Sequence, residues 1–493
     1  MTTPDAIIDI DPTPLGDDKV LIEELEAEMK NTSSEQPNSS VTKIQNVPRF
    51  MFQQRNIEKD YYTPREMPIG PIYANEETDK QRQIKVKFAA QFIKTSGKNC
   101  HELLKSIKNE IETLRTRFDE NLLADFDNDK LARMLLLDGC SVLQFIRSRV
   151  RDELKKFQIN NGQASVIDQD LFLMTNQIPF QVLEILMDSL QVDAAVNRNA
   201  LESSIDNFIK INLMMPYTYV TGNYRNFYKA TNEVPLHLLH ILQSALLYGF
   251  VKTRQNQNRQ DQNLLRPLLH ILRSALPCVF DKFCHNNSGD DSDSMEEFKK
   301  EYFRNIQDLK TAGIKLSSSA SSCLRDVTFS PCSIWLRARL KLPQLIVNDS
   351  TGRKLWNLVA YEMCPDNHNS EYGVTSYLSF LDSLIDSEED VKDLRSACIL
   401  RNHLSSDTEV ANLFNEIGYY VVSDKTYSKV KWKIQRYCDS SWSKIVAPLL
   451  DGYFKNYWSF IALLGAMAAL GLTAAQTYYA VKASADPPSH PPQ

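Results

Sequence analysis

The most constraining feature of this chain is a 26-residue segment, residues 456–481, that carries no charged side chain. As a helix it would be about 39 Å long, which exceeds the roughly 30 Å thickness of a bilayer's hydrocarbon core. Tyr457 and Trp458 stand at one end and Tyr478 and Tyr479 at the other, where amphipathic rings favour a membrane interface. The segment predicts a single-pass transmembrane helix, and the alternative is an unusually long buried helix in a helical core.

The same segment carries small residues at a spacing that favours close helix packing. Gly465 and Ala469, and likewise Gly471 and Ala475, are four positions apart. Small residues at this spacing let the backbones of two membrane helices approach each other. The spacing predicts a homodimer through this helix, although a segment so rich in alanine also produces such pairs by chance.

The overall charge excludes one class of partner. The 493 residues include 56 basic and 62 acidic side chains, a net charge of −6, and no long basic run. A protein that grips nucleic-acid phosphates needs a basic patch. We therefore predict no nucleic-acid partner. The length of the chain leaves room for a core with more than one lobe.

Cysteine usage and the N-terminus predict on which side of a membrane the body lies. The nine cysteines are irregularly spaced and contain no Cys-x-x-Cys pair, which favours reduced thiols over a disulfide framework or a zinc site. The first 30 residues are acidic and lack the apolar run of a signal peptide. We expect a body on the cytosolic side, with the plasma membrane and endomembranes as open alternatives.

The chain divides into four predicted parts. Residues 1–43 predict a disordered acidic tail, and residues 44–454 predict one mostly helical domain with a flexible acidic loop at 286–297. The predicted transmembrane helix at 456–481 and a short Pro-rich tail at 482–493 follow.

Apolar residues at helical spacing run through most of the central domain. They recur from residue 80 to 118, from 129 to 157 and from 178 to 190, and the sequence of 238–246 returns almost unchanged at 268–276. Two copies are too few for a solenoid, so they predict two similar packed helices. Short apolar runs near 325–348 predict a small antiparallel β element. The fold class is therefore mainly α, a large helical bundle with that β element and the C-terminal helix.

Sequence motifs of catalysis are absent. The chain has no Gly-x-Ser-x-Gly, no phosphate-binding loop, no Gly-x-Gly-x-x-Gly and no His-Glu-x-x-His. His240 and His270 occupy equivalent places in the duplicated helices, which would suit paired ligands. Their position about 200° from the leucine stripe favours solvent-facing or partner-facing histidines instead. Cys278, Cys284 and His285 lack a fourth ligand. We therefore predict no catalytic, cofactor-binding or metal-binding residues, and no enzyme.

Three further positions have both a chemical and a structural interpretation. Asp138-Gly139-Cys140 resembles a nucleophile turn, but its helical period favours a packed cysteine and a glycine at a helix crossing. Glu362 is either a buried acid, a satisfied core carboxylate or a carboxylate on the helix surface. Asn176 or Gln177, in Asn-Gln-Ile-Pro-Phe, is expected to cap a helix that Pro179 opens, so the motif predicts an architectural joint.

Taken together, these segments resemble the plant "domain of unknown function 247" family over about residues 44–480. The matching pieces are Val47-Pro48, Tyr62-x-Pro64, Ile69-Gly70-Pro71, Leu137-Asp138-Gly139-Cys140, residues 170–180, residues 355–362, residues 377–394, Asn402-His403-Leu404, residues 409–415, residues 453–458 and residues 472–478. The chain departs from the family's usual pattern at residues 72–75, at Thr175 and at Ser405. These departures concern loop details.

The resemblance implies a mostly helical protein with one C-terminal membrane helix and no established biochemical activity. Some grass members of the family are associated with self-incompatibility as pollen-side recognition determinants, and the resemblance permits that role without showing it. The leading hypothesis is a membrane-tethered, non-enzymatic module that binds a protein partner. The alternatives are an enzyme whose site is assembled from scattered helical residues, and a dimerising membrane scaffold.

Overall fold

The computed structural model describes residues 42–52, 61–191, 196–216, 222–231, 233–249, 304–321, 323–331, 338–365, 372–421, 425–439 and 457–485. Within these ranges the protein is mainly helical, as the apolar periodicity predicts. A single hydrophobic core runs from Ile44 to Cys438, through both halves of the chain.

Helices dominate the N-terminal half. In chain order they are α1 (Asp79–Ser96), α2 (Cys100–Asn109), α3 (Ile111–Arg115), α4 (Asn128–Val150), α5 (Asn161–Asp170), α6 (Phe180–Asp188), α7 (Arg198–Asn212), α8 (Tyr224–Thr231) and α9 (Leu238–Tyr248). Side chains of Thr78, Asn99, Asp127, Asn160 and Asn197 accept backbone N–H groups at the starts of α1, α2, α4, α5 and α7. These caps satisfy donors that a helix start leaves free, so the sequence itself sets where these helices begin.

The long helix α4 is the centre of this half. It packs against α1, α2, α6 and α7. A Cβ atom on its Gly139 would lie 2.7 Å from Leu186 Cδ1 and 2.9 Å from Val182 Cγ1, both on α6. The absent side chain therefore lets α4 and α6 cross closely, which confirms the predicted glycine at a helix crossing.

The C-terminal half combines further helices with short strands. The elements are α10 (Ile306–Thr311), β1 (Lys315–Ser318), β2 (Thr328–Ser330), β3 (Arg339–Leu342), β4 (Leu345–Val347), α11 (Thr351–Glu362), α12 (Gly373–Asp382), α13 (Glu388–Ser396), β5 (Leu400–Asn402), α14 (Asp407–Tyr420), α15 (Ser428–Asp439) and α16 (Tyr457–Ala485). Helix α11 is buried along its length except at Gly352. Helix α12 packs against α9, α11 and α14, and so joins the two halves.

The predicted antiparallel β element is only partly present. Strand β2 pairs antiparallel with β3, with Phe329 opposite Leu340, but β1 pairs with β3 in parallel. Strand β4 belongs to a second sheet and pairs in parallel with β5. The sequence near 325–348 did not indicate this arrangement, because the parallel partners β1 and β5 lie outside it.

The prediction of a C-terminal transmembrane helix, and with it a single-pass membrane localisation, is wrong. In the part of the chain that the structure describes, no helix combines the length and the apolarity needed to cross a bilayer. Helix α16 has 29 residues, so its length is sufficient. Its described side chains are mostly small or polar; from 468 to 481 they include only Leu470, Leu472 and Val481 as large aliphatic groups. The α16 helix also extends to Ala485, into the predicted Pro-rich tail.

Several sequence-based predictions lie outside the described residues. They are most of the acidic tail at 1–43, the loop at 286–297, the second duplicated helix at 268–276 with His270, the group Cys278, Cys284 and His285, and the end of the tail at 486–493.

Candidate functional site

The segment 61–70 is held by side chains from both halves of the chain. Tyr61 and Tyr62 are π-helical and the rest is irregular. Proline residues exclude regular helix after Tyr62, so the backbone groups need partners from elsewhere. Asn357 Nδ2 donates to the carbonyl of Tyr61 at 2.9 Å, and Thr175 Oγ1 donates to that of Tyr62 at 2.7 Å. The segment therefore links α11 of the C-terminal half to the loop that precedes α6.

Asp170 makes the densest set of contacts with this segment. Its buried carboxylate accepts the backbone N–H groups of Arg65, Glu66 and Met67 at 2.7–3.0 Å. It also accepts from Arg353 Nη1 at 3.1 Å, and Arg353 Nη2 donates to the Thr63 carbonyl. A buried charge needs both a counter-charge and hydrogen bonds, and Asp170 has them all.

Asn176 is not the helix cap that the sequence predicts. Its Oδ1 accepts from Ile69 N at 2.7 Å, and its Nδ2 donates to the carbonyls of Met67 and Asp170. Helix α6 begins after Pro179, where no side chain makes a capping hydrogen bond. The expectation of an architectural joint is correct, but the joint connects two loops, because the segment 61–70 supplies closer partners than the helix.

Asp138 extends the same network into α4. It accepts from Gly70 N at 2.9 Å and pairs with Lys85 Nζ of α1 at 2.7 Å. Gly70 has a φ of +77°, and a Cβ atom there would lie 2.4 Å from the Gln177 carbonyl oxygen, so both the conformation and the space require glycine. The Asp138-Gly139-Cys140 motif therefore has a structural role, in which Asp138 links α4 to Gly70 and to Lys85 of α1.

Glu362 is a satisfied core carboxylate. Its oxygens accept from Val374 N and Thr375 N, at the start of α12, and from Gln243 Nε2 of α9, at 2.7–2.9 Å. Burial raises the pKa of Glu362 and these hydrogen bonds oppose the rise. The side chain joins α9, α11 and α12.

The expectation of a solvent-facing His240 is wrong. Its Nδ1 accepts from Leu236 N at 3.1 Å, and its ring lies 5.7 Å from that of Tyr228 and 5.8 Å from that of Tyr361. His237 caps α9 by accepting from His240 N. Burial lowers the pKa of His240 to about 4, and burial followed by His240 lowers that of His237. Both rings are uncharged packing groups at neutral pH, since α8 and α11 cover them.

The described residues give little support to a reactive cysteine nucleophile or to a metal site. The Cys140 side chain is fully buried, and burial raises the pKa of its thiol, which disfavours the reactive thiolate. In the described ranges, no three His, Cys, Asp or Glu side chains come together as a metal site. The packing interpretation of Cys140 agrees with this environment.

Lys354 is a buried cation that the sequence did not indicate. Its Nζ donates to Oδ1 and to the carbonyl oxygen of Asn212, at 2.9 and 3.1 Å, and lies 5.8 Å from the Phe172 ring centre. Burial lowers its pKa to about 8, although Asp168 opposes the shift. These contacts join α7 to α11.

A polar groove of about 580 Å³ lies where α2 begins and α6 ends. Its lining residues are Lys98, Glu102, Leu103, Lys105, Ser106, Asn109, Asp188, Ser189, Leu190 and Gln191. Two lysines face two carboxylates, and Lys98 already pairs with Glu102 at 3.0 Å. The balanced charge favours neither an anionic nor a cationic ligand.

The strongest candidate for a binding surface is a group of four aromatic residues, Tyr61, Trp356, Tyr419 and Tyr420, which we call the aromatic face. The Trp356 ring centre lies 5.5 Å from that of Tyr61 and 5.3 Å from that of Tyr420, and Tyr420 lies 5.1 Å from Tyr419. Trp356 is fully buried, whereas Tyr419 is 77 % exposed. The aromatic face therefore extends from the core to the surface through a continuous series of ring–ring contacts.

Helix α14 comes close to α11 beneath the aromatic face. A Cβ atom on Gly352 would lie 3.0 Å from Leu413 Cδ1 of α14 and 3.7 Å from the ring of Tyr61. The small residue lets Leu413 fill the space beside Tyr61. Packing of this kind holds side chains in fixed rotamers, so the aromatic rings are positioned before any partner arrives.

Two buried donors of the aromatic face have no hydrogen-bond partner among the residues that the structure describes. They are the Trp356 indole Nε1 and the Tyr420 hydroxyl, whose residues are 0 % and 9 % exposed. Burial, Tyr419 and Glu416 raise the pKa of Tyr420, so its hydroxyl keeps its proton. Unpaired buried polar groups are costly and concentrate at places where a further interaction completes them.

Sequence patterns did not predict this surface. The dipeptide Tyr419-Tyr420 at the end of α14 was the available signal, but nothing local shows that Trp356 and Tyr61 lie beside it.

The comparisons with known proteins identify a family without a known activity. The family model described as "plant protein of unknown function", domain of unknown function 247, matches residues 44–472. The Arabidopsis thaliana UPF0481 protein At3g47200 is 26 % identical over 435 residues, which cover 85 % of this chain and 83 % of that protein. The putative UPF0481 protein At3g02645 from the same plant is 30 % identical over 181 residues, 36 % of this chain and 33 % of that protein. No solved structure matches the chain significantly.

Proposed function

This chain belongs to the plant "domain of unknown function 247" family, and we propose that it is a non-enzymatic protein-interaction module whose contact surface is the aromatic face. The observation that carries the proposal is the exposed ring of Tyr419, which meets Tyr420 edge to face, as Tyr420 meets the buried Trp356. We propose recognition of the pollen self-incompatibility type as its process, on the family resemblance alone.

Aromatic side chains suit this role for energetic reasons. Tyr and Trp are enriched among the few residues that contribute most of the binding energy of an interface. A tyrosine offers a large contact area and has only two side-chain torsions to immobilise. The Tyr419 ring lies beside that of Tyr420, which in turn contacts Trp356, so one side of Tyr419 already meets a ring that the core holds in place.

The burial of three polar motif residues supports a binding module over an enzyme. The carboxylates of Asp170 and Glu362 and the amide of Asn176 all lie in the core, where backbone N–H groups satisfy them. An enzyme needs such groups to face a substrate. The motif residues of the family resemblance therefore support the architecture that presents the aromatic face.

The test is a quantitative comparison of captured partners. Full-length protein, Tyr419→Ala and Tyr478→Ala are used as baits in plant extracts. Tyr478 is a matched control, because it is 64 % exposed and its ring lies 5.6 Å from the neighbouring Tyr479. We expect proteins that bind wild type and Tyr478→Ala but are lost with Tyr419→Ala. If the three baits capture the same proteins in the same amounts, the aromatic face is not a contact surface.

A further inference from the structure

We infer that the aromatic face takes a partner that presents a cationic side chain, an arginine above all, held between the Tyr419 ring and the Glu416 carboxylate. The inference rests on the proposed function and names the partner chemistry of that same surface. It follows from the charge of α14, from the geometry of one helical turn and from the exposure of Tyr419.

Glu416 is the carboxylate of α14 that lacks a partner. Helix α14 contains Asp407, Glu409 and Glu416 and no basic residue. Asp407 pairs with Arg395 at 2.6 Å, and Glu409 accepts the Ser405 hydroxyl at 2.6 Å. Glu416 makes no ion pair or hydrogen bond with its side chain among the described residues. Burial alone raises its pKa, with no neighbouring cation to oppose the shift.

The unpaired carboxylate and the exposed ring lie on the same face of the helix. Glu416, Tyr419 and Tyr420 occupy positions i, i+3 and i+4 of α14, and residues at this spacing are neighbours on a helix surface. The influence of Glu416 on the pKa of Tyr420 agrees with this proximity. A group that contacts the Tyr419 ring from outside therefore also reaches Glu416.

A guanidinium group satisfies both features together. It stacks on an aromatic face, is weakly hydrated and donates hydrogen bonds to a carboxylate. The chain already uses this chemistry, since Arg436 lies over the Trp432 ring at 5.0 Å and Arg325 over Tyr248 at 4.7 Å. The aromatic face thus offers an intermolecular version of a contact that the protein makes within itself.

Other partner chemistries fit less well. A phosphate or carboxylate would be repelled by Glu416. A purely apolar partner would cover that carboxylate without pairing it, and an unpaired buried charge is strongly unfavourable. A partner with a cation gains from both the ring and the carboxylate, so electrostatic complementarity selects it.

Selection from a random peptide library tests the inference with a defined probe. Displayed 12-residue peptides are selected on the full-length protein, and binders that survive on Tyr419→Ala are removed. The affinities of the remaining peptides are then measured for wild type, Glu416→Gln and Glu389→Gln. Glu389 is an exposed carboxylate on α13, so its variant changes the net charge equally. Thermal melting shows that the variants are folded.

We expect the Tyr419-dependent peptides to share an Arg or Lys, to bind Glu416→Gln about tenfold more weakly and to bind Glu389→Gln normally. Replacing the shared arginine by citrulline is expected to cause the same loss. If Tyr419-dependent peptides lack a cation, or bind Glu416→Gln unchanged, the inference is overturned while the proposed function stands. If no selected peptide depends on Tyr419, the inference and the proposed function both fail.

Discussion

At the scale of single residues, Asn176 makes three hydrogen bonds that hold two loops together. Its side chain is fully buried and contacts Ile69, Met67 and Asp170. Asn176→Ala removes the partners of the Ile69 N–H and the Met67 carbonyl, whereas the Asp170 carbonyl still accepts from Leu173 N at 3.2 Å. Each buried group left unpaired costs about 1–3 kcal/mol. We expect the free energy of unfolding to fall by about 3 kcal/mol, measured by urea denaturation.

The control for this prediction is Asn121→Ala. Asn121 is exposed, so we expect its removal to change the free energy of unfolding by no more than about 0.5 kcal/mol. A loss of only about 1 kcal/mol for Asn176→Ala would be the size of a helix cap. That result would contradict the buried network.

Lys354 predicts a pH dependence of stability with a defined sign. Burial lowers its pKa from 10.5 to about 8. Between these values the unfolded chain still binds the proton that the folded protein has released, so the free energy of unfolding rises with pH. The contribution reaches roughly 3 kcal/mol near pH 10.5, and it is absent below about pH 8 because both states are then protonated.

The comparison that isolates this group is wild type against Lys354→Met. The variant loses the hydrogen bonds to Asn212, which lowers its stability by an amount that does not depend on pH. We expect the stability difference in favour of wild type to grow between pH 8 and pH 10 in urea denaturation. A difference that stays constant over this range would show that Lys354 keeps an ordinary pKa.

At the scale of elements, the crossing of α4 and α6 depends on Gly139. A Cβ atom there would overlap Leu186 Cδ1 and Val182 Cγ1, so Gly139→Ala must displace these two side chains of α6. Overpacking of this kind typically costs 1–3 kcal/mol, and we expect thermal unfolding to show a loss of about 2 kcal/mol. The loss occurs although alanine favours helix over glycine by up to about 1 kcal/mol.

A double-mutant cycle separates the clash from other effects of Gly139→Ala. Leu186→Ala alone opens a cavity and destabilises the protein. In the double variant the new methyl group enters that space, so we expect it to be more stable than the sum of the two single changes predicts. Strict additivity would mean that Gly139 and Leu186 do not compete for space.

At the scale of the whole molecule, self-association through α16 remains a prediction. Among the described residues, no atom outside the neighbouring turns of α16 lies within 4 Å of the position that a Cβ atom on Gly465 or Gly471 would take. Glycine within an exposed helix costs about 1 kcal/mol relative to alanine, and no contact among the described residues explains this choice. We expect Gly465→Leu combined with Gly471→Leu to abolish a dimer that contacts Gly465, Ala469, Gly471 and Ala475.

Sedimentation of the full-length protein measures this dimer directly. Thr477→Leu is the control, because position 477 lies about 120° from both Gly465 and Gly471 around α16 at 100° per residue, and is exposed. A dimer that survives both glycine substitutions excludes the small-residue contact. Loss of the dimer with Thr477→Leu as well would indicate a general effect of bulk on the helix.

The sequence by itself determined the helical class, the positions of most helices in the described ranges and the family. Helices depend on contacts within about four residues and on caps next to their ends, so Asn99, Asp127 and Asn160 mark helix starts that local reasoning can locate. Gly139 was interpreted correctly for the same reason. The helical spacing of the apolar residues around it places it on the packed side of α4.

Only the tertiary structure decided which distant groups meet. Asn176 pairs with a loop more than 100 residues away, β4 pairs in parallel with β5, and His240 is covered by Tyr228 and Tyr361. The aromatic face likewise brings Tyr61, Trp356 and Tyr419 together from three parts of the chain. Such contacts leave no periodic pattern in the local sequence. Their energy comes from burial and pairing between distant segments, which come into contact only in the folded chain.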